Sequence, residues 1–250
     1  MVNIKINGIE YAVEEGTTIL EACRQNGIRI PTLCWLKDIN AIGACRICVV
    51  EMTGARSLVA SCVYPLSKFD EGKNILTHSP AVLQSRKMTL QLLLSDHNMD
   101  CLACSRNGSC ELQELCKELG VDDTTFFEGE KNEYDIDYSS KHMFRDNNKC
   151  IHCRRCIAAC DKLQGIGVIG ANNRGFKTSI DCAFDLDLAE TACVSCGQCI
   201  TACPTGALAE KDDTDKVWDA LADPEKVVVV QTAPAVRACL LYTSPSPRDS

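Results

Sequence analysis

A chain of 250 residues can bury substantial cores, and a formal net charge of −8 without long basic runs excludes nucleic acid as its main partner. No run approaches the roughly 18 consecutive apolar residues of a membrane span, and the first residues lack the basic region and apolar core of a secretory signal, so a cytoplasmic location is expected. Nineteen cysteines, an odd number in a long chain without an export signal, point away from a disulfide scaffold and toward metal ligation.

The first 80 residues read as a small α+β unit. Val2–Ile6 and residues 10–13 are expected as strands joined at Asn7-Gly8, the strongest short hairpin signal. Thr18-x-x-Glu21 forms a capping box for a short helix that Gly27 can stop. Residues 46–52, 57–62 and 74–77 read as further strands, an order that suits a β-grasp sheet wrapped on one helix. Ser79-Pro80 then opens a helix running through Ser95, with Leu83, Leu90, Leu93 and Leu94 as its packing stripe. Glu111–Leu119 reads as a second helix ending at Gly120, and the acidic, irregular stretch 121–141 as a loop or linker.

From Asn147 the chain repeats itself. Cys150, Cys153, Cys156 and Cys160 recur as Cys193, Cys196, Cys199 and Cys203, with Ile-Ala-Ala answered by Ile-Thr-Ala between the last two of each run. Residues 226–231 then look like a buried strand centred on Val227, Val228, Val229 and Val230. Residues 239–249 resemble the translation of a transposase adapter used in sequencing libraries and are set apart from the fold, so the natural chain is expected to continue past Ala238. The expected domains are therefore 1–78, 79–140, 141–211, the start of a further domain at 212–238, and the foreign tail 239–250.

The repeat is the most specific chemical signal. C-x2-C-x2-C-x3-C is the bacterial ferredoxin run, in which three cysteines hold one 4Fe–4S cube and the fourth holds its neighbour. One cube is thus expected on Cys150, Cys153, Cys156 and Cys203, the other on Cys160, Cys193, Cys196 and Cys199. Pro204 follows the second run as the pattern requires, whereas Asp161 replaces proline in the first. Tetrahedral zinc from paired C-x2-C motifs does not explain a doubled run of four.

Cys34, Cys45, Cys48 and Cys62 suggest a 2Fe–2S site on the β-grasp unit, with a longer first loop than the plant-type C-x4-C-x2-C spacing; zinc fits the same donors. His97, Cys101, Cys104 and Cys110 form a third set that spacing alone leaves open between zinc and a 4Fe–4S cube. Its place between two electron-transfer units favours iron–sulfur, since zinc has no redox chemistry. Cys23 and Cys116 fall in expected helices as small apolar residues, and Cys182 and Cys239 are assigned to no metal. No dinucleotide fingerprint or phosphate loop occurs, His78, His142 and His152 lack acid–base partners, and no catalytic residue is expected.

These four sets in this order resemble the N-terminal region of the large subunit of NAD(P)-linked iron-only hydrogenases, over residues 1–238. The specific segments are Ile30-Pro31-Thr32-Leu33-Cys34, Ile42-Gly43-Ala44-Cys45-Arg46-Ile47-Cys48 and Thr191-Ala192-Cys193-Val194-Ser195-Cys196-Gly197-Gln198-Cys199. Val227-Val228-Val229-Val230-Gln231-Thr232-Ala233-Pro234-Ala235-Val236-Arg237 is similar to the first strand of that family's catalytic domain. The ligand order is shared with the cluster-bearing G subunit of NADH dehydrogenase and with NAD-dependent formate dehydrogenases. The resemblance implies an α+β chain of three parts: a β-grasp 2Fe–2S ferredoxin domain, a small helical 4Fe–4S domain with one histidine and three cysteine ligands, and a bacterial-type ferredoxin domain with two 4Fe–4S clusters. It implies an NAD(P)-linked oxidoreductase whose partners are a flavin- and NAD(P)-binding subunit, a small 2Fe–2S subunit, or ferredoxin. Electrons are then expected to leave through the cube held partly by Cys203, toward a hydrogen-evolving domain that this sequence lacks. The alternatives are the same relay in a formate or NADH dehydrogenase, and a zinc-bound structural protein.

Overall fold

Asn7 and Gly8, at φ of 52° and 88°, supply the left-handed backbone of a two-residue turn. It folds β1 (Val2–Ile6) antiparallel onto β2 (Ile9–Val13), with Val2 opposite Val13. This is a computed structural model that describes residues 1–121, 127, 129–231 and 234.

β3 (Val49–Met52), β4 (Val59–Ala60) and β5 (Asn74–Leu76) complete a five-stranded sheet in the order β2-β1-β5-β3-β4, with β1 and β5 parallel. α1 (Ile19–Gln25) crosses it behind the Thr18–Glu21 capping box, and Ile19, Leu20, Ala22 and Cys23 are buried against Val2, Ile4, Ile6, Val50 and Ile75. Each such aliphatic side chain contributes roughly 1.5–3 kcal/mol when fully buried. The strands are shorter than expected at 46–52 and 57–62, because Arg46 turns left-handed (φ 56°) and its flanking residues serve as a loop.

α2 (Pro80–Ser95) starts at Ser79, whose hydroxyl accepts from the Val82 amide at 3.3 Å. Its buried face is Val82, Arg86, Leu90 and Leu94, one turn apart, so the expected stripe is corrected: Leu83 and Leu93 are only half-buried, and a guanidinium lies among the aliphatic residues. α3 (Glu111–Leu119) buries Leu112 and Leu115 and ends at Gly120 in the left-handed conformation. Leu90, Leu94, Leu112 and Leu115 share one core with Leu33, Ile47 and Ile151. Helices and ligand loops from three parts of the sequence therefore pack as a unit.

Residues 129–141 form a strap held by polar contacts. Asn132 bonds Asp96 and the Phe176 carbonyl, and Tyr134 exchanges hydrogen bonds with Asn148. Two short antiparallel ribbons follow: β6 (Met143–Arg145) with β9 (Leu208–Glu210), and β7 (Ile169–Asn172) with β8 (Ser179–Cys182). Buried Arg145 pairs with Asp137 at 3.2 Å and Asp181 at 2.5 Å, tying the strap to β8. α4 (Arg155–Ala158) and α5 (Gln198–Ala202) are the corresponding helices of the two repeat copies.

Met1–Lys211 is one compact unit, and the described residues from Asp212 onward belong to a second. The second contains α6 (Thr214–Ala222). The buried strand expected at 226–231 is corrected. Val227 is 91% and Val230 84% exposed, and among the described residues no strand pairs with them. Four consecutive valines have high strand propensity, but pairing needs a neighbouring edge. The suspected foreign segment, with Cys239, lies outside the described residues. No helix among them is long and apolar enough to cross a membrane.

Candidate metal centres

Cys34 leaves the turn after α1, Cys45 and Cys48 occupy the loop entering β3, and Cys62 follows β4; all four are buried. Gly43 (φ 63°) and Arg46 reverse this loop twice, and a Cβ at Gly43 would come within 3.2 Å of Val63. The sulfurs lie near enough to act on one another's ionisation. The neighbouring Cys45 and Cys62 thiols at Cys34, with the Ala44 and Cys45 amides, and the Cys62 thiol at Cys48 hold Cys34 and Cys48 well below the ordinary thiol range. Cys45 and Cys62 are raised by their sulfur neighbours and by burial. Ser61 fixes the geometry by donating its amide and hydroxyl to the Cys48 carbonyl, at 3.2 and 2.7 Å.

His97 lies just beyond α2, with Cys101 and Cys104 on the next turns and Cys110 capping α3. Burial raises the Cys110 pKa, opposed by the nearby Gln113 and Leu112 amides at the start of α3. Cys101 and Cys104 lie close enough to act on the Cys110 thiol electrostatically. Burial, with Lys149 nearby, pushes His97 down to about 4, keeping its imidazole neutral as coordination requires. Its Nδ1 is buried and meets no hydrogen-bond partner. An orphaned buried ring nitrogen is costly unless something binds it, and a metal at this set would satisfy it. Gly206 abuts this set: a methyl there would overlap the Cys104 sulfur. Cys116 is half-buried on α3, and burial pushes its thiol up to about 11, as it does for Cys23 in the β-grasp core.

The two repeat copies share a backbone device. His152 and Arg154 in the first copy, and Ser195 and Gly197 in the second, occupy equivalent positions and all have positive φ. Alternating left- and right-handed residues turn successive amides inward, as in an anion-binding nest. The His152 amide donates to the Cys150 sulfur at 3.4 Å, and the Arg155 and Ile200 amides point at Cys153 and Cys199. The copies then diverge. At α5 the chain stops at Cys203 (ψ 125°), since Pro204 excludes helical backbone before it and has no N–H to donate. With Asp161 in the corresponding place, α4 continues into a π turn at Ala159–Leu163.

Two enclosed cavities result. Cys150, Cys153, Cys156 and Cys203 line one, with Ile151, Ile169, Ile180 and Leu208 among the apolar walls. Cys160, Cys193, Cys196 and Cys199 line the other, with Ile166, Val168 and Leu188. The last cysteine of each run thus faces the first three of the other. Four thiols spread around a cavity suit a cube, which offers one iron to each. Burial pushes Cys150, Cys153 and Cys199 up to about 12, so a cluster held by them would have to displace their protons. Of the remaining histidines, His78 contacts Thr77 at 2.7 Å and His142 accepts the Lys211 amide on its carbonyl. Cys182 is fully buried beside Arg145, which donates to its sulfur at 3.5 Å.

The first cavity is the junction. Asn40, 3% exposed, donates from one Nδ2 to the Cys34 carbonyl at 2.7 Å and the Cys153 carbonyl at 3.1 Å. Arg106 donates to the Ile200 and Cys203 carbonyls at 2.7 and 3.3 Å, and Arg155 pairs with Glu111 through two bonds of 2.6 and 3.0 Å. Asn40, Arg106 and the other joining residues carried no sequence signal of their own.

Family models match three segments: a 2Fe-2S iron-sulfur cluster binding domain over residues 1–79, the NADH-ubiquinone oxidoreductase-G iron-sulfur binding region over 86–125, and a 4Fe-4S dicluster domain over 149–207. The chain is 45% identical over 245 residues to NADP-reducing hydrogenase subunit HndD of Solidesulfovibrio fructosivorans, covering 96% of this chain and 41% of that protein. It is 36% identical to the NADPH-Fe(3+) oxidoreductase subunit alpha of Geobacter sulfurreducens, covering 84% and 24%, and 34% identical to the NADH-ubiquinone oxidoreductase 75 kDa subunit of Reclinomonas americana, covering 84% and 30%. The chain therefore spans less than half the length of these relatives. Among solved structures, a chain of an NAD+-reducing nickel–iron hydrogenase matches with a TM-score of 0.77 at 28% identity, covering 84% of this chain and 87% of that one.

Proposed function

The chain belongs with the iron–sulfur regions of NADP-reducing hydrogenase subunits, related to the G subunit of NADH-ubiquinone oxidoreductase, and on that premise we propose that it relays electrons from a reduced nicotinamide cofactor, through a flavin-bearing partner subunit, to the catalytic domain of an iron-only hydrogenase. Its complement is one 2Fe–2S and three 4Fe–4S clusters. When bound, these groups supply one-electron redox chemistry.

The chain's own residues do the rest. Cys34, Cys45, Cys48 and Cys62 hold the 2Fe–2S cluster; His97, Cys101, Cys104 and Cys110 hold one cube. Cys150, Cys153, Cys156 and Cys203 hold a second cube, and Cys160, Cys193, Cys196 and Cys199 a third. The domains follow as 1–78, 79–140 and 141–211. The observation that carries the relay is the convergence on the first cavity of the repeat. Asn40 joins it to Cys34, and Gly206 joins its Cys203 segment to Cys104. Both outer sets thus meet the Cys203 cube, which makes it the collecting point. The exit expected there moves to the cube of Cys160, Cys193, Cys196 and Cys199.

Anaerobic reconstitution with iron and sulfide tests the assignment. The chain should bind about fourteen irons, two for the binuclear cluster and four for each cube, and Cys45→Ala should remove only the 2Fe–2S signal. A colourless, zinc-rich product free of labile sulfide would refute it. The terminal acceptor is tested by sequencing the source DNA beyond the codon for Ala238. Further clustered cysteines support the hydrogenase. A molybdenum-type domain, or one like that of the NADH dehydrogenase G subunit, supports the dehydrogenase reading that the Reclinomonas relative favours.

A further inference from the structure

Arg86 stands out among the buried side chains. It is 1% exposed and sits on the inner face of α2 between Val82 and Leu90, where every other buried residue of the helix is aliphatic. Its guanidinium donates one hydrogen bond, from Nη2 to the Val49 carbonyl at 2.9 Å, and its Nε has no partner. No carboxylate among the described residues forms an ion pair with it. A buried cation costs several kcal/mol unless an anion compensates it. The carbonyl it reaches belongs to the residue directly after Cys48, and one helical turn on, Leu90 packs in the core that contains Cys34, Cys45 and Ile47. Burial is the largest influence on Arg86 and lowers its pKa; the charges that oppose this are the Cys48 sulfur and, less strongly, Glu118.

A 2Fe–2S centre held by this set would supply the missing anion. Four thiolates and two sulfides against two ferric ions leave two negative charges, and one-electron reduction leaves three. An enclosed positive charge beside the centre therefore stabilises the reduced form more than the oxidised form, with no proton or bond change. We propose that Arg86 is the counter-cation of the cluster held by Cys34, Cys45, Cys48 and Cys62, and that it raises that cluster's midpoint potential. This rests on the ligand assignment proposed above. It also means that a residue outside the 2Fe–2S domain match, within the segment matched to the oxidoreductase-G region, sets the potential of the first cluster.

Potentiometric titration of the reconstituted full chain, followed by electron paramagnetic resonance, reads this directly. Arg86→Met should shift the 2Fe–2S midpoint to a more negative potential, and Arg86→Lys should return it close to the wild-type value. The three cube midpoints should hold. An unmoved 2Fe–2S midpoint in Arg86→Met with the signal at full intensity overturns the proposal. So does an Arg86→Lys shift as large as that of Arg86→Met, since that assigns the effect to packing or to the Val49 hydrogen bond. If Arg86→Met does not fold, Arg86→Gln takes its place under the same criteria. Cys45→Ala separates the premise from the inference: a 2Fe–2S signal that survives it removes the ligand assignment, whereas one lost in Cys45→Ala but unmoved by Arg86 variants removes only the role of Arg86.

Discussion

Replacing Gly206 with alanine tests the junction between the His97 set and the repeat domain. Gly206 does not require positive φ, so alanine meets no backbone strain there and the effect is purely steric. The added methyl would fall well inside 3.0 Å of the Cys104 sulfur, closer than real Cβ contacts come, with Arg106 Cβ and Lys149 Cδ both at 3.7 Å on its other sides. The backbone is pinned on both flanks. Thr205 Oγ1 donates to the Lys149 carbonyl at 2.8 Å, and the Asp146 amide donates to the Ala207 carbonyl at 2.8 Å. Restoring ordinary contact at ~3.5–4.0 Å requires a displacement of about 1 Å or more, which falls on the Cys104 loop. Overpacking of this kind costs about 1–3 kcal/mol, equivalent to a fall of roughly 2–12 °C in Tm for a chain of this size. Thermal melts and iron and sulfide analysis after anaerobic reconstitution should show that fall, together with loss or spectral change of one cube while the 2Fe–2S signal persists. Wild-type Tm and iron content with an unchanged spectrum would refute the close seating of Cys104 on Gly206.

Three further outcomes are expected. His97→Cys should keep a cube but move its midpoint negative, because a thiolate adds charge where a neutral imidazole had none, while His97→Ala should lower the iron content; unchanged midpoints and iron in both would remove His97 from the ligands. Glu111→Gln leaves the Arg155 guanidinium, 7% exposed, without its carboxylate, and should destabilise by about 1–3 kcal/mol, less than a fully buried pair because Glu111 is 44% exposed; a change within about 0.5 kcal/mol would show the pair to be incidental. Asp70→Asn tests acid stability. Burial opposes ionisation of Asp70, but Lys73, the Ser67 amide and hydroxyl, and Tyr64 outweigh it and hold the carboxyl below its usual value. A depressed folded pKa gives stability that is complete above the unfolded value of about 3.9 and lost as pH falls through the folded one. The wild-type advantage over Asp70→Asn in thermal melts should therefore be constant near neutral pH and shrink below about pH 4; a gap independent of pH would deny the charged carboxylate its role.

The local motifs determined much of this protein. Asn7-Gly8 fixed the first hairpin, Thr18 and Glu21 the first helix, Ser79-Pro80 the second and Gly120 the end of the third, because each acts through its own backbone or that of residues a few places away. The doubled cysteine run was legible for the same reason, since ligand spacing is a local property. What the sequence could not show was long-range. The ribbons β6–β9 and β7–β8 have strands of three or four residues, too short for alternation to register. His152, Arg154 and Ser195 adopt left-handed backbone although their residue types do not announce it. Val227, Val228, Val229 and Val230 read as a buried strand, yet burial depends on a neighbour that no local pattern encodes. Only the tertiary structure placed Asn40 across Cys34 and Cys153, set Gly206 against Cys104 and left Arg86 without an ion-paired carboxylate among the described residues. Local sequence selects which residues can bind a cluster, whereas the neighbours of each set are fixed by packing between segments far apart in the chain.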